Sequence, residues 1–339
     1  DKKDYFFKGN LKNKNSSLSN ELLQIIKLRF PQFDLINTNF ESNNDFSFNI
    51  NNKFKVKNLA INSSILIYSS QFKKKNLINK NFIKISDIID LKDHEIKASY
   101  INDKLSIKGK GKAKLQDKFE LIDYEVIKKG SDFNLVSNIN LSEINIKNQN
   151  LVKEYLPNTK NTLGLKDHKI KLNYKDNILL LEGSGKIKLD KEFNKIRYSL
   201  SKKNKKYNFE TDLEVNDTPI KIDFINYVKD KKLNSQIKMI GNYTKKIGLD
   251  LEKFSLISKN NKIIINNLIL DNKNKIAKVD KVDLDYFDNS ENRNKFVLSR
   301  NKKNNYKLNG SLFNADSLIT NLLKSKDDQQ LDIFKENIN

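Results

Sequence analysis

Between Leu105 and Leu115 apolar and polar residues alternate without a break. Leu105, Ile107, Gly109, Gly111, Ala113 and Leu115 hold the odd positions, and Ser106, Lys108, Lys110, Lys112 and Lys114 the even ones. That patterning predicts a strand with one apolar and one wet face. The same pattern returns at Leu179, Leu181, Gly183, Gly185, Ile187 and Leu189. The run LKDHEIKASYINDKLSIKGKGKAKLQDKFE from Leu91 and the run LKDHKIKLNYKDNILLLEGSGKIKLDKEFN from Leu165 align without a gap. Farther on the letters drift, but Ile122, Tyr124 and Val126 still match Ile196, Tyr198 and Leu200. A fixed period of about 74 residues marks a repeated structural unit.

Within the first unit the pattern predicts strands near residues 95–101, 104–115, 119–128, 132–141 and 144–147. A short helix over Gln149–Leu156, ended by Pro157, then precedes a crossing segment through Gly164. Turns fall near Asn102–Asp103, Gln116–Lys118 and Lys128–Ser131, and at the matching places of the second copy. Upstream, Ser19–Phe30 reads as a helix capped by Ser19 or Asn20 and stopped by Pro31. Phe46, Phe48 and Ile50 alternate, as do Phe54 and Val56, with Asn51–Asn52 as a hairpin turn between them. Downstream the alternation persists to Tyr306, Leu308 and Gly310. Ser317–Ser325 and the C-terminal tail read as helical pieces. The chain therefore divides into 1–90 with helix 19–30, repeats at 91–164 and 165–238, and 239–339 ending in helices. The fold class is all-β: an elongated, repeating antiparallel sheet curled into a groove, with a few short helices.

Composition narrows the chemistry. With 339 residues the chain exceeds what one core needs. It has no cysteine, so disulfides and thiolate metal sites are excluded. No run of about 18 apolar residues is present to span a membrane as a helix. The chain starts at Asp1 and holds one methionine, Met239, so a fragment or processed product is expected, with any anchor outside it. The formal charge of +22 points toward polyanions or anionic lipid surfaces. Yet Arg29, Arg197, Arg293 and Arg300 are the only arginines among 64 basic residues. Reading bases and gripping phosphate in two-point fashion favour arginine. The lysines are spread over outward strand faces, as A+T-rich coding and solubility produce, and nucleic acid is not expected as a partner.

Candidate catalytic groups are few. His94 and His168 occupy the same place in the two copies, after Asp93 and Asp167, in what reads as a polar turn before a strand. A zinc site from these four is set aside, because duplication alone explains the pairing. Gly183–Lys186 looks like a phosphate loop but lies in a strand, with Leu180 and Ile187 where glycine and a hydroxyl residue are required. No serine–histidine–aspartate set is supported. Neither catalysis nor a cofactor is expected.

Two stretches carry a family resemblance. Tyr306–Leu323, a strand ending near Gly310 followed by an Asp316-capped run with paired leucines, resembles a recurring segment of AsmA-like bacterial envelope proteins, the YhdP and TamB branch. Val279–Asp285 resembles the strand that precedes it there. Asn314–Ala315 departs from the basic or small pair usual in that family. The resemblance implies a periplasmic protein, anchored in the inner membrane by a segment outside this chain. Its stacked β-units would form a groove carrying phospholipid between the inner and outer membranes, with envelope proteins of both as partners. The expected lipid-lining residues are Leu105, Ile107, Ala113, Leu115, Leu179, Leu181, Ile187 and Leu189. The alternatives are a structural or adhesive β-repeat with a closed core, and a basic polyanion-binding protein.

Overall fold

The computed structural model describes residues 4–19, 21, 24, 35–73, 87–148, 150–231, 233–272, 276–301 and 304–314. Most of the expected helix Ser19–Phe30, and both expected C-terminal helical pieces, lie outside these residues. The described chain is all-β and antiparallel, as the period-two pattern requires. It forms two compact units: Asp1–Ile146 with Asp167–Leu181, and Lys147–Lys166 with Glu182–Asn339.

Unit 1 contains β1 (Tyr5–Ser17), β2 (Leu35–Ile50), β3 (Val56–Lys73), β4 (Ile88–Ile101), β5 (Lys104–Lys114), β6 (Phe119–Lys129) and most of β7 (Asp132–Lys147). Each pairs antiparallel with the next. β4 and β5 join through Asn102–Asp103, with φ of 49° and 58°. Both central residues are left-handed, the geometry that matches strand twist in a two-residue hairpin. Two details differ from the alternation. The stretches 132–141 and 144–147 are one strand, β7. Phe54 sits in the β2–β3 turn, not in a strand.

The second copy repeats these elements at the sequence offset. β8 (Thr162–Lys175), β9 (Ile178–Lys188), β10 (Phe193–Lys203) and β11 (Lys206–Val215) begin where β4 to β7 begin, one period later. Asp176–Asn177 repeats the left-handed turn, with φ of 52° and 61°. Between β7 and β8 comes α1 (Asn150–Tyr155), which stops before Pro157 as expected.

Unit 2 continues with β12 (Ile220–Ile222), β13 (Tyr227–Lys229), β14 (Ser235–Thr244), β15 (Gly248–Ser258), β16 (Lys262–Leu270), β17 (Ile276–Lys278), β18 (Lys281–Phe287), β19 (Arg293–Arg300) and β20 (Tyr306–Leu312). β10, β11, β14, β15, β16, β18, β19 and β20 pair antiparallel in that order. β12 and β13 form a separate hairpin around a 3-10 turn at Asp223–Ile225, which the alternation did not anticipate. Tyr227 of that hairpin is fully buried and meets Tyr286 edge to face at 5.7 Å. The Tyr286 hydroxyl donates to the Ile225 carbonyl at 2.8 Å. A covered core results, with Val215, Leu256, Ile263 and Leu284 buried beside the two tyrosines.

Candidate functional site

Residues directly opposite in paired strands share a face, so the strand registers map the apolar face of unit 1. One row runs Phe46, Ile61, Tyr100, Leu105, Lys128, Phe133. The next includes Ala98, Ile107, Val126 and Leu135. Most of these side chains are half-buried. In unit 2 the row Leu213, Ile237, Leu256, Ile263, Leu284, Phe296 is better covered.

Leu105, Ile107 and Ala113 lie together on the apolar face of unit 1. Ala113 is buried, the other two half-buried. Leu115 is half-buried just past the end of β5. Leu179 and Leu181 are half-buried on β9, Ile187 is buried on it, and Leu189 is buried just past its end. None of the eight side chains is fully exposed.

The histidines are not in a turn. His94 lies inside β4 and His168 inside β8, both buried. The β4–β5 register slips between Lys92 and Glu95, and Asp93 has φ of 55°, which marks a bulge. Asp167 repeats that value at 54°. The extra residue turns His94 inward over Gly111. Its Nε2 donates to the Lys112 carbonyl at 3.0 Å, and the Tyr124 hydroxyl donates to its Nδ1 at 3.4 Å. Burial holds its pKa below the usual imidazole value, and the same cause pushes the Tyr124 phenol up to about 12. Both groups are neutral at physiological pH. No cluster of histidine and carboxylate side chains fit for a metal occurs among the described residues.

Nor do the strand glycines stand open. A Cβ on Gly111 would lie 2.3 Å from His94, one on Gly109 2.4 Å from Tyr124, and one on Gly183 2.3 Å from Tyr198. Rings from neighbouring strands fill these hollows.

A second repeated device went unread in the sequence. Glu120, near the start of β6, is buried, and its carboxylate accepts from the Ser142 backbone N–H at 2.6 Å and the Ser142 hydroxyl at 2.8 Å. One period later Asn194 accepts from the Asn216 N–H at 3.0 Å. Asn294 does the same for the Asn314 N–H at 2.8 Å. The first latch satisfies a backbone donor inside β7, just past its last pairing with β6 at Asn140, and the other two act just past the ends of β11 and β20. Glu120→Ala strands that donor and should cost about 2 kcal/mol of stability. Glu120→Asn, the residue of the second copy, should retain most of it, and thermal melts of the two variants distinguish these outcomes.

The polar face of unit 1 carries an open concavity of about 1140 Å³ whose floor includes Lys12, Glu41, Lys97, Lys108, Lys110 and Asp123. None of the eight expected lipid-lining residues borders it. Lys110 pairs with Glu95 at 3.1 Å there. No family model matches this chain, and neither a curated protein nor a solved structure matches it.

Proposed function

We propose that the apolar face of this repeating sheet binds phospholipid acyl chains and conducts them through the periplasm, as one segment of an AsmA-like conduit between the inner and outer membranes. The observation that carries the reading is the half-exposed apolar face of unit 1. An antiparallel sheet needs cover on its apolar side, and side chains such as Ala98, Ile107 and Leu135 are only partly covered by the protein. Curling of the sheet into a groove belongs to the proposal. A sixteen-carbon chain moved from such a face into water loses on the order of 12 kcal/mol. The guest would run along Leu105, Ile107, Leu179 and Leu181, beside the ring-filled hollows at Gly109 and Gly111. Within unit 1, Ala113 and Leu115 would form the deeper wall. No chemical step is required, only exclusion of water. An anchor outside this chain, and envelope proteins at both membranes, would complete the path.

Photo-crosslinkers placed at Ile107 and Leu181 should capture phospholipid in cells. Leu181→Asp should block lipid loading in the folded protein, while Lys186→Asp on the outward side has little effect. The filled glycine hollows favour a second reading, a structural repeat packed by its own rings. A folded protein that captures no lipid at either position would leave that reading standing.

A further inference from the structure

The β2–β3 hairpin projects beyond the rest of unit 1. β3 begins at Val56, yet its first partner on β4 is Ala60, opposite Ile101. The residues between carry the hairpin end roughly 13 Å past that pairing. β1 accompanies it, with Tyr5 opposite Ile50 and Phe6 opposite Asn49. This end is apolar and exposed: Phe54 is 88% exposed, Phe6 66%, Tyr5 61% and Val56 54%. Lys53, Lys55 and Lys57 interleave with Phe54 and Val56, and no acidic residue occurs from Ile50 to Leu59. Lys57 has Asp4 at 3.5 Å, whereas Lys53 and Lys55 have no ion-pair partner among the described residues.

The turn is held firmly. The Asn51 side-chain oxygen accepts from the N–H groups of Lys53 at 3.1 Å and Lys55 at 2.9 Å. The Phe54 N–H donates to the Asn51 carbonyl at 2.9 Å, and the Asn51 N–H to the Lys55 carbonyl at 3.2 Å. Within this frame Phe54 has φ of 56°. The left-handed region suits glycine or asparagine and strains a bulky aromatic residue. Folding therefore gains nothing from phenylalanine here, since its ring is neither buried nor relaxed. Strain of this kind collects at functional positions.

We propose that this tip is a membrane-docking element for an anionic lipid surface. Phe54, with Tyr5, Phe6 and Val56, enters the interfacial layer of the bilayer, and Lys53 and Lys55 remain at the phosphate-bearing headgroups. Aromatic rings flanked by lysines suit that layer, because the rings leave water while the ammonium groups stay in it. A lysine-only turn also matches a surface of one charge sign. The inference does not depend on acyl-chain binding to the sheet, and docking is measured without it.

The test is flotation of the protein with vesicles of phosphatidylcholine alone or mixed with phosphatidylglycerol. The wild-type protein should float with the mixed vesicles and more weakly with pure phosphatidylcholine. Phe54→Asn should weaken binding about tenfold, as expected for losing one buried aromatic side chain. The same variant should melt no lower than wild type, because asparagine is at ease at this backbone angle. Lys53→Gln and Lys55→Gln should each cost roughly fivefold at low ionic strength. Ile247→Asn, at the exposed β14–β15 turn, should bind as wild type does. A wild-type protein that stays off mixed vesicles, or a Phe54→Asn variant that binds them undiminished, overturns the docking role.

Discussion

Lys229→Met should destabilise unit 2 by about 2–3 kcal/mol, the upper range for leaving buried acceptors without their donor. The Lys229 side chain is fully buried at the end of β13. Its ammonium donates to the carbonyls of Asn216 at 3.1 Å, Thr218 at 3.0 Å and Asp230 at 3.1 Å. Methionine fills the space but offers no donor, so these carbonyls lose their partner in a dry setting. The ammonium fixes the segment that leaves β11, crosses to the β12–β13 hairpin and returns to β14. Burial pushes its pKa down from 10.5 to about 8, with Asp217 and Asp230 opposing the shift. An unfolded chain therefore binds more protons than the folded one between those values, and stability rises with pH across that window. Denaturant melts at several pH values should show this rise in the wild type and lose it in Lys229→Met. A variant as stable as wild type at neutral pH would mean that water replaces the ammonium at the carbonyls.

Gly111→Ala is the second large effect, with an expected loss of about 3 kcal/mol in unit 1, at the upper end for overpacking. The new methyl would lie 2.3 Å from the root of the His94 ring, which no small rotation relieves. His94 would have to leave its buried place and give up its bond to the Lys112 carbonyl. Removing the obstacle should therefore rescue the variant: Gly111→Ala with His94→Ala should be more stable than the sum of the single changes implies. Such coupling is what a double-mutant cycle reads. Additive losses would show that the ring and the glycine are independent.

The strands were legible because alternation is a direct imprint of the pleat. Even the bulge left a trace. Ile89 and Leu91 are apolar at odd positions, then Ile96, Ala98 and Tyr100 at even ones, and a single inserted residue produces that switch. The polar letters Lys92, Asp93 and His94 masked it, since a polar triplet reads equally well as a turn. Which residues share the apolar face needed only the alternation, which the folded chain respects. The filled hollows needed the register, because nothing along the chain places His94 against Gly111. Lys229 was hidden for a different reason. In a chain this rich in outward lysines, a buried one has the same letter as its exposed neighbours. The strain at Phe54 was likewise invisible, because an aromatic residue next to a turn reads as the first residue of a strand.

Pairing between successive strands also bears on how fast and in what order the sheet can form. In unit 1 every strand from β5 to β7 pairs with the one just before it, across the short turns at Asn102–Asp103, residues 115–118 and residues 130–131. Closing such turns costs little chain entropy, and no distant segment has to be found first. An all-β protein is usually slow because its contacts join remote parts of the sequence. Here each new hairpin adds to an edge already in place, so growth can proceed in one direction while the rest of the chain is still emerging.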